Sequence, residues 1–190
     1  ELNRPIFVKD GGTLTIEPGT VVRGQPESAS GANDPGALVV ARDSKIDAVG
    51  TSDAPIVFTD EFDDNIAGQQ GTFPYDSLTN ALSQTENWGG VILLGRGWVA
   101  NNTADGPDPT REVQIEGLDD PGGLGLYGNC AEVYSDPLGN PSVCDDDDSG
   151  RMRYVSIRYG GFNIADGNEI NGLTMGGVGR TTDLEYIEIF

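Results

Sequence analysis

Short β-branched runs closed by glycine-rich turns recur along this 190-residue chain, and that recurrence restricts its folds more than any other feature. The runs begin with Leu14–Thr15–Ile16, Val21–Val22, Leu38–Val39–Val40 and Ile56–Val57–Phe58. Further on come Val91–Ile92–Leu93–Leu94, Met152 to Tyr159 and Leu184 to Phe190. Strands this short cannot bury a face alone, so they must stack on their neighbours.

Two alignments support a solenoid. A shift of 24 residues sets Leu14 on Leu38, Ile16 on Val40 and Val22 on Ile46. A shift of 32 sets Met152 on Leu184, Tyr154 on Tyr186, Val155 on Ile187 and Ile157 on Ile189. Both spacings fall within the roughly 20–50-residue periods of stacked repeats. In the second pair the apolar alternation changes phase between Tyr154 and Val155. Side chains alternate sides along a strand, so a corner between two faces would produce that slip. An ordinary β-sandwich is the competing fold, but its strands carry no long-range register.

The 28 glycines and 11 prolines are rich in turn formers and lack a collagen period. One short helix is expected over 75–86, with Leu78, Ala81 and Leu82 on one side. The expected fold is all-β, a right-handed parallel β-helix forming a single domain over 1–190. Polar inserts interrupt it at about 25–35, 60–87 and 117–150. A chain that starts and stops on strands leaves coil ends open. It is expected to belong to a longer protein or to self-associate through those ends.

Lys and Arg total 11 against 31 Asp and Glu, a net charge of −20. That field repels nucleic acid, anionic polysaccharide and anionic lipid. Histidine is absent, which excludes a Ser-His-Asp or Cys-His nucleophile within the chain. Apolar runs such as Val91–Leu94 fall far short of the about 20 residues a spanning helix needs, so no membrane insertion is expected. No leader segment is read either.

Cys130 and Cys144 share one insert and are expected to pair. The bridge would close about 15 residues, contribute roughly 3 kcal/mol, and point to an oxidising, extracytoplasmic setting. Asp145, Asp147 and Ser149, followed by Gly150, reproduce the first half of a calcium loop. Ser156 stands where an EF-hand needs its bidentate Glu, so that motif is rejected. Asp119 and Asp120 are the candidates to complete a Ca2+ site; the alternative is a solvated acidic loop. Asp60, Glu61, Asp63 and Asp64 form a second acidic cluster.

Glycosidases use paired carboxylates, and Asp63, Asp64, Glu116 and Asp119 are the candidates here. Arg151, Arg153 and Arg158 are expected to pair with the acidic run beside them. Trp88 and Trp98 could stack on sugars, although Trp88–Gly89–Gly90 fits a packed corner better.

The segments Gly12 to Val22, Gly36 to Arg42, Pro55 to Thr59, Trp88 to Leu93, Gly150 to Gly161 and Asn168 to Thr174 look like successive coils. In these the chain resembles bacterial secreted or cell-surface right-handed parallel β-helix proteins of the marine and Bacteroidetes type. The likeness implies the fold and carries no catalytic residues. Two functions are therefore expected: an extracellular structural or adhesive module, calcium-stabilised and stacking end to end, or a glycan-binding or polysaccharide-cleaving one. Ice or mineral binding ranks last, because no threonine ladder continues beyond Thr13 and Thr15.

Overall fold

The computed structural model describes residues 1–26, 35–63, 65–66, 69–70, 87–99, 102–103, 106–107, 112–116, 118, 122–129, 146–165 and 168–189. The first coil is β1 (Pro5–Val8), β2 (Thr13–Ile16) and β3 (Val21–Gly24); the second is β4 (Ala37–Val40), β5 (Lys45–Val49) and β6 (Ile56–Asp60). A hairpin of β7 (Asn65–Ile66) and β8 (Gln69–Gln70) precedes β9 (Gly90–Leu94), which opens the third coil. Two further hairpins follow, β10 (Asn102–Thr103) with β11 (Gly106–Pro107) and β12 (Glu112–Gln114) with β13 (Leu126–Gly128). The long strand β14 (Gly150–Ile157) completes that coil. A hairpin of β15 (Asn163–Ala165) and β16 (Asn168–Glu169) leads to the fourth coil, β17 (Leu173–Gly176) and β18 (Asp183–Ile189).

Among the described residues every pairing between coils is parallel. One sheet runs β1-β4-β9-β17; the other joins β2-β5-β14 to β3-β6-β14, with β18 on the far side of β14. The described antiparallel pairs are confined to the four hairpins. This is a parallel β-helix, and a sandwich is excluded.

The 32-residue spacing is observed and the 24-residue one is not. Met152 opposes Leu184, Val155 opposes Ile187 and Ile157 opposes Ile189. Leu14 opposes Ile46 and Ile16 opposes Ala48, also 32 apart, whereas Leu38 sits in the other sheet opposite Ile6. The shorter shift superposed strands of different faces, which share the same apolar alternation.

The phase slip is a corner. Strand β14 meets β5 through Gly150–Arg153 and β6 through Val155–Ile157, and Tyr154 falls between. Tyr154 and Tyr186 hold left-handed φ angles of 49° and 54°, and their rings stack 4.5 Å apart.

Inward side chains of all faces form one core, including Leu38, Ile46, Phe58, Val91, Met152 and Ile157. Trp88 lies wholly inside it and donates from Nε1 to the Arg158 carbonyl at 2.7 Å. It is a core residue and offers no sugar platform. A Cβ on Gly24 would come within 2.5 Å of the Trp88 ring, so only glycine fits there. A second apolar cluster lies on the outer side of β4 and β9, where Val39, Ile92 and Leu94 pack with Ile115, Ile170 and Tyr127. Both faces of β4 and β9 are thus buried, which explains their uninterrupted apolar sequences. Past Leu94 the chain stays on the stack as far as Gly97, with Gly95 N–H and Gly97 N–H donating to the carbonyls of Gly176 and Gly177 at 2.8 and 2.6 Å. The expected helix over 75–86 lies outside the described residues.

Candidate functional site

Strands β2, β5, β14 and β18 point Leu14, Ile46, Met152 and Leu184 inward. Alternation then turns their charged and hydroxyl residues outward. Thr15 opposes Asp47, Asp47 opposes Arg151, and Arg151 opposes Asp183, so one polar position from each coil lines up across the strands. Beside this row an open groove of about 260 Å³ is lined by Thr13, Lys45, Asp47, Asp148, Arg151 and Asp183, among others. All four coils contribute to it.

Four of the five charges in the groove form two ion pairs. Arg151 donates from Nε and Nη2 to the two Asp47 oxygens at 2.7 and 3.2 Å. Lys45 Nζ donates to Asp148 Oδ2 at 2.5 Å. The hydrogen bond from Arg151 holds the Asp47 carboxyl below its usual range, and burial opposes it. The Lys45 bond does the same for Asp148, helped by the Gly150 N–H. Arg151 is in turn held more firmly protonated by Asp47. Both carboxylates are therefore ionised, hydrogen-bonded acceptors at neutral pH.

The acidic run above the groove fastens coils together. Asp148 reaches Lys45 of the second coil, and Asp146 accepts from Arg180 Nε, before the fourth coil's β18, at 2.6 Å. Thr181 Oγ1 donates to the Asp146 and Asp147 carbonyls at 2.8 and 2.9 Å. The cations of this run are thus not the expected ones. Arg151, Arg153 and Arg158 pair with Asp47, Glu185 and Asp63, because their strand positions face neighbouring coils.

Of the expected calcium ligands, Asp147 and Ser149 adjoin, with Ser149 Oγ donating to Asp147 Oδ2 across 3.5 Å. Asp145, Asp119 and Asp120 lie outside the described residues, as do Cys130 and Cys144. Among the described residues no three Asp, Glu, Cys or His side chains gather around one point.

A family model described as the pectate-lyase like beta helix domain matches residues 1–73 and 77–190. The chain belongs to this family. No curated protein and no solved structure matches it.

Within this pectate-lyase-like domain Asp60 and Asp63 of the second acidic cluster are internal. Asp63 has no exposed side-chain surface; it accepts from Thr59 Oγ1 at 2.7 Å and faces Arg158 at 3.6 Å. Asp60 is buried and accepts from the Phe62 N–H and from Asn87 Nδ2 at 2.6 and 2.9 Å. Arg23 donates to the carbonyls of Asp60, Glu61 and Asp63. That network seals the corner where the chain leaves β6 and returns at Asn87. A residue without accessible surface cannot touch a glycan, so Asp63 is not a catalytic candidate in this conformation. Glu116 is exposed after β12, Trp98 is half-buried, and Asp64 and Asp119 lie outside the described residues.

The groove residues Lys45, Asp47 and Asp183 were not singled out by sequence reasoning. A signal existed: Lys45-x-Asp47, Arg151-x-Arg153 and Asp183-x-Glu185 alternate with core residues, and the last two stand 32 residues apart.

Proposed function

We propose that this β-helix domain is an extracellular module that holds polysaccharide in the groove on its β2-β5-β14-β18 face and does not cleave it. The observation that carries this reading is a paired-charge groove spanning all four coils. Its alternating cations, carboxylates and hydroxyls suit a ligand with many hydroxyl groups, each able to donate and to accept. The family description supports a polysaccharide partner. Against cleavage stands the chemistry of the acids. A glycosidase acid must keep its proton near neutral pH, whereas Asp47 and Asp148 are pushed toward ionisation. The cysteine pair and the acidic composition favour an extracytoplasmic place.

The test is calorimetric titration of the protein and of its Arg151→Ala variant with hexasaccharides, alongside an assay for released ends. Arg151→Ala is expected to weaken binding about tenfold, the worth of one charge-assisted hydrogen bond. No cleavage products should appear. Unchanged affinity in the variant would remove the groove from the reading; accumulating products would replace holding with catalysis.

A further inference from the structure

We infer that the groove selects neutral glycan chains and rejects polyuronates, a charge class that includes pectate. This rests on the glycan-holding reading and gives that site its ligand class. The groove carries three carboxylates, Asp47, Asp148 and Asp183, against two cations, Lys45 and Arg151. Both cations are already engaged, Lys45 by Asp148 and Arg151 by both oxygens of Asp47. A uronate carboxylate would have to draw a cation from its partner and leave a bared aspartate beside a new anion. Like charges brought together in this way oppose binding. The net charge of −20 adds a repulsive field before contact.

A neutral sugar meets no such conflict. Its hydroxyls donate to the outer lone pairs of Asp47, Asp148 and Asp183 and accept from the remaining N–H groups of Arg151 and Lys45, with the ion pairs intact. Thr13 adds a hydroxyl from the first coil. Selectivity here follows from cations that are engaged before the ligand arrives.

The experiment titrates the whole protein with cellohexaose, mannohexaose, xylohexaose and hexagalacturonate, all in chelator at low salt. At least one neutral hexasaccharide is expected to bind, with hexagalacturonate at least about tenfold weaker. Raising ionic strength from 0.01 to 1 M shortens the screening length from about 30 to about 3 Å and should narrow the gap. Asp47→Asn with Asp183→Asn, which frees Arg151 and removes two anions, should narrow it as well. The salt series on the unaltered protein stands even if the variant folds poorly. Hexagalacturonate binding in chelator as tight as the best neutral chain would overturn the selectivity and leave glycan holding intact. Failure of all four sugars to bind would overturn both.

Discussion

Tyr154 illustrates how much one residue can decide. A left-handed φ costs an L-residue about 1–2 kcal/mol, yet the same angle recurs at Tyr186 one coil on, with the rings stacked and Arg153 over both, 5.6 and 5.3 Å from their centres. Ring stacking contributes about 0.5–1.5 kcal/mol beyond burial, which offsets part of the strain at the two tyrosines. Tyr154→Ala keeps the strain and loses the ring; Tyr154→Gly loses the ring and the strain together. In urea unfolding the alanine variant should lose about 1–3 kcal/mol, and the glycine variant should be no worse. A glycine variant clearly below alanine would mean that the backbone here is unstrained. The slip of alternation at this tyrosine was visible in the sequence, because side-chain phase is a local property. The burial of Asp63 was not: Arg23 and Arg158, its cationic surroundings, come from 40 residues before and 95 after.

At the scale of elements, strands were legible and their covering was not. Apolar alternation marked β2, β14 and β18, and the 32-residue repeat gave the register of the last pair. The hairpin β12–β13 escaped notice because its reason for folding lies elsewhere, in the outer side of β4 and β9 that Ile115 and Tyr127 cover. Glu112 fastens it, accepting from Arg42 Nη1 at 2.5 Å and Asn129 Nδ2 at 3.0 Å. The Arg42 bond, the larger cause, holds the Glu112 carboxyl below its usual range. Glu112→Gln weakens the charge-assisted bond from Arg42, so amide exchange in β12 and β13 should quicken about tenfold while the coil strands stay protected. Exchange that quickens equally in β5 and β9 would show hairpin and coils to be one cooperative unit.

For the molecule as a whole, charge sets two opposing trends with pH. Acid relieves the self-repulsion of a chain with 31 acidic residues, which favours the folded state. Asp43, Asp47, Asp148 and Glu112 work the other way, each lowered first by a bond from Arg96, Arg151, Lys45 and Arg42 respectively. A lowered carboxyl adds stability above its unfolded value, 3.8 for Asp and 4.5 for Glu, and that stability is lost as pH falls through the folded value. The thermal midpoint should hold or rise from pH 7 toward about 4.5 and then drop below about 4. A steady decline beginning at pH 7 would show that the ion pairs outweigh repulsion throughout. Strand β14 carries a mechanical consequence as well. Its eight residues bond to β5 and β6 on one side and β18 on the other, tying two ladders that are separate strands in the coils below. Under tension applied from the C-terminal side, β18 would peel one residue pair at a time. β14 would then open in the same way, its pairs with β6 at Val155–Ile157 parting before those with β5 at Gly150–Arg153, so a single strand releases the corner between two faces in two steps.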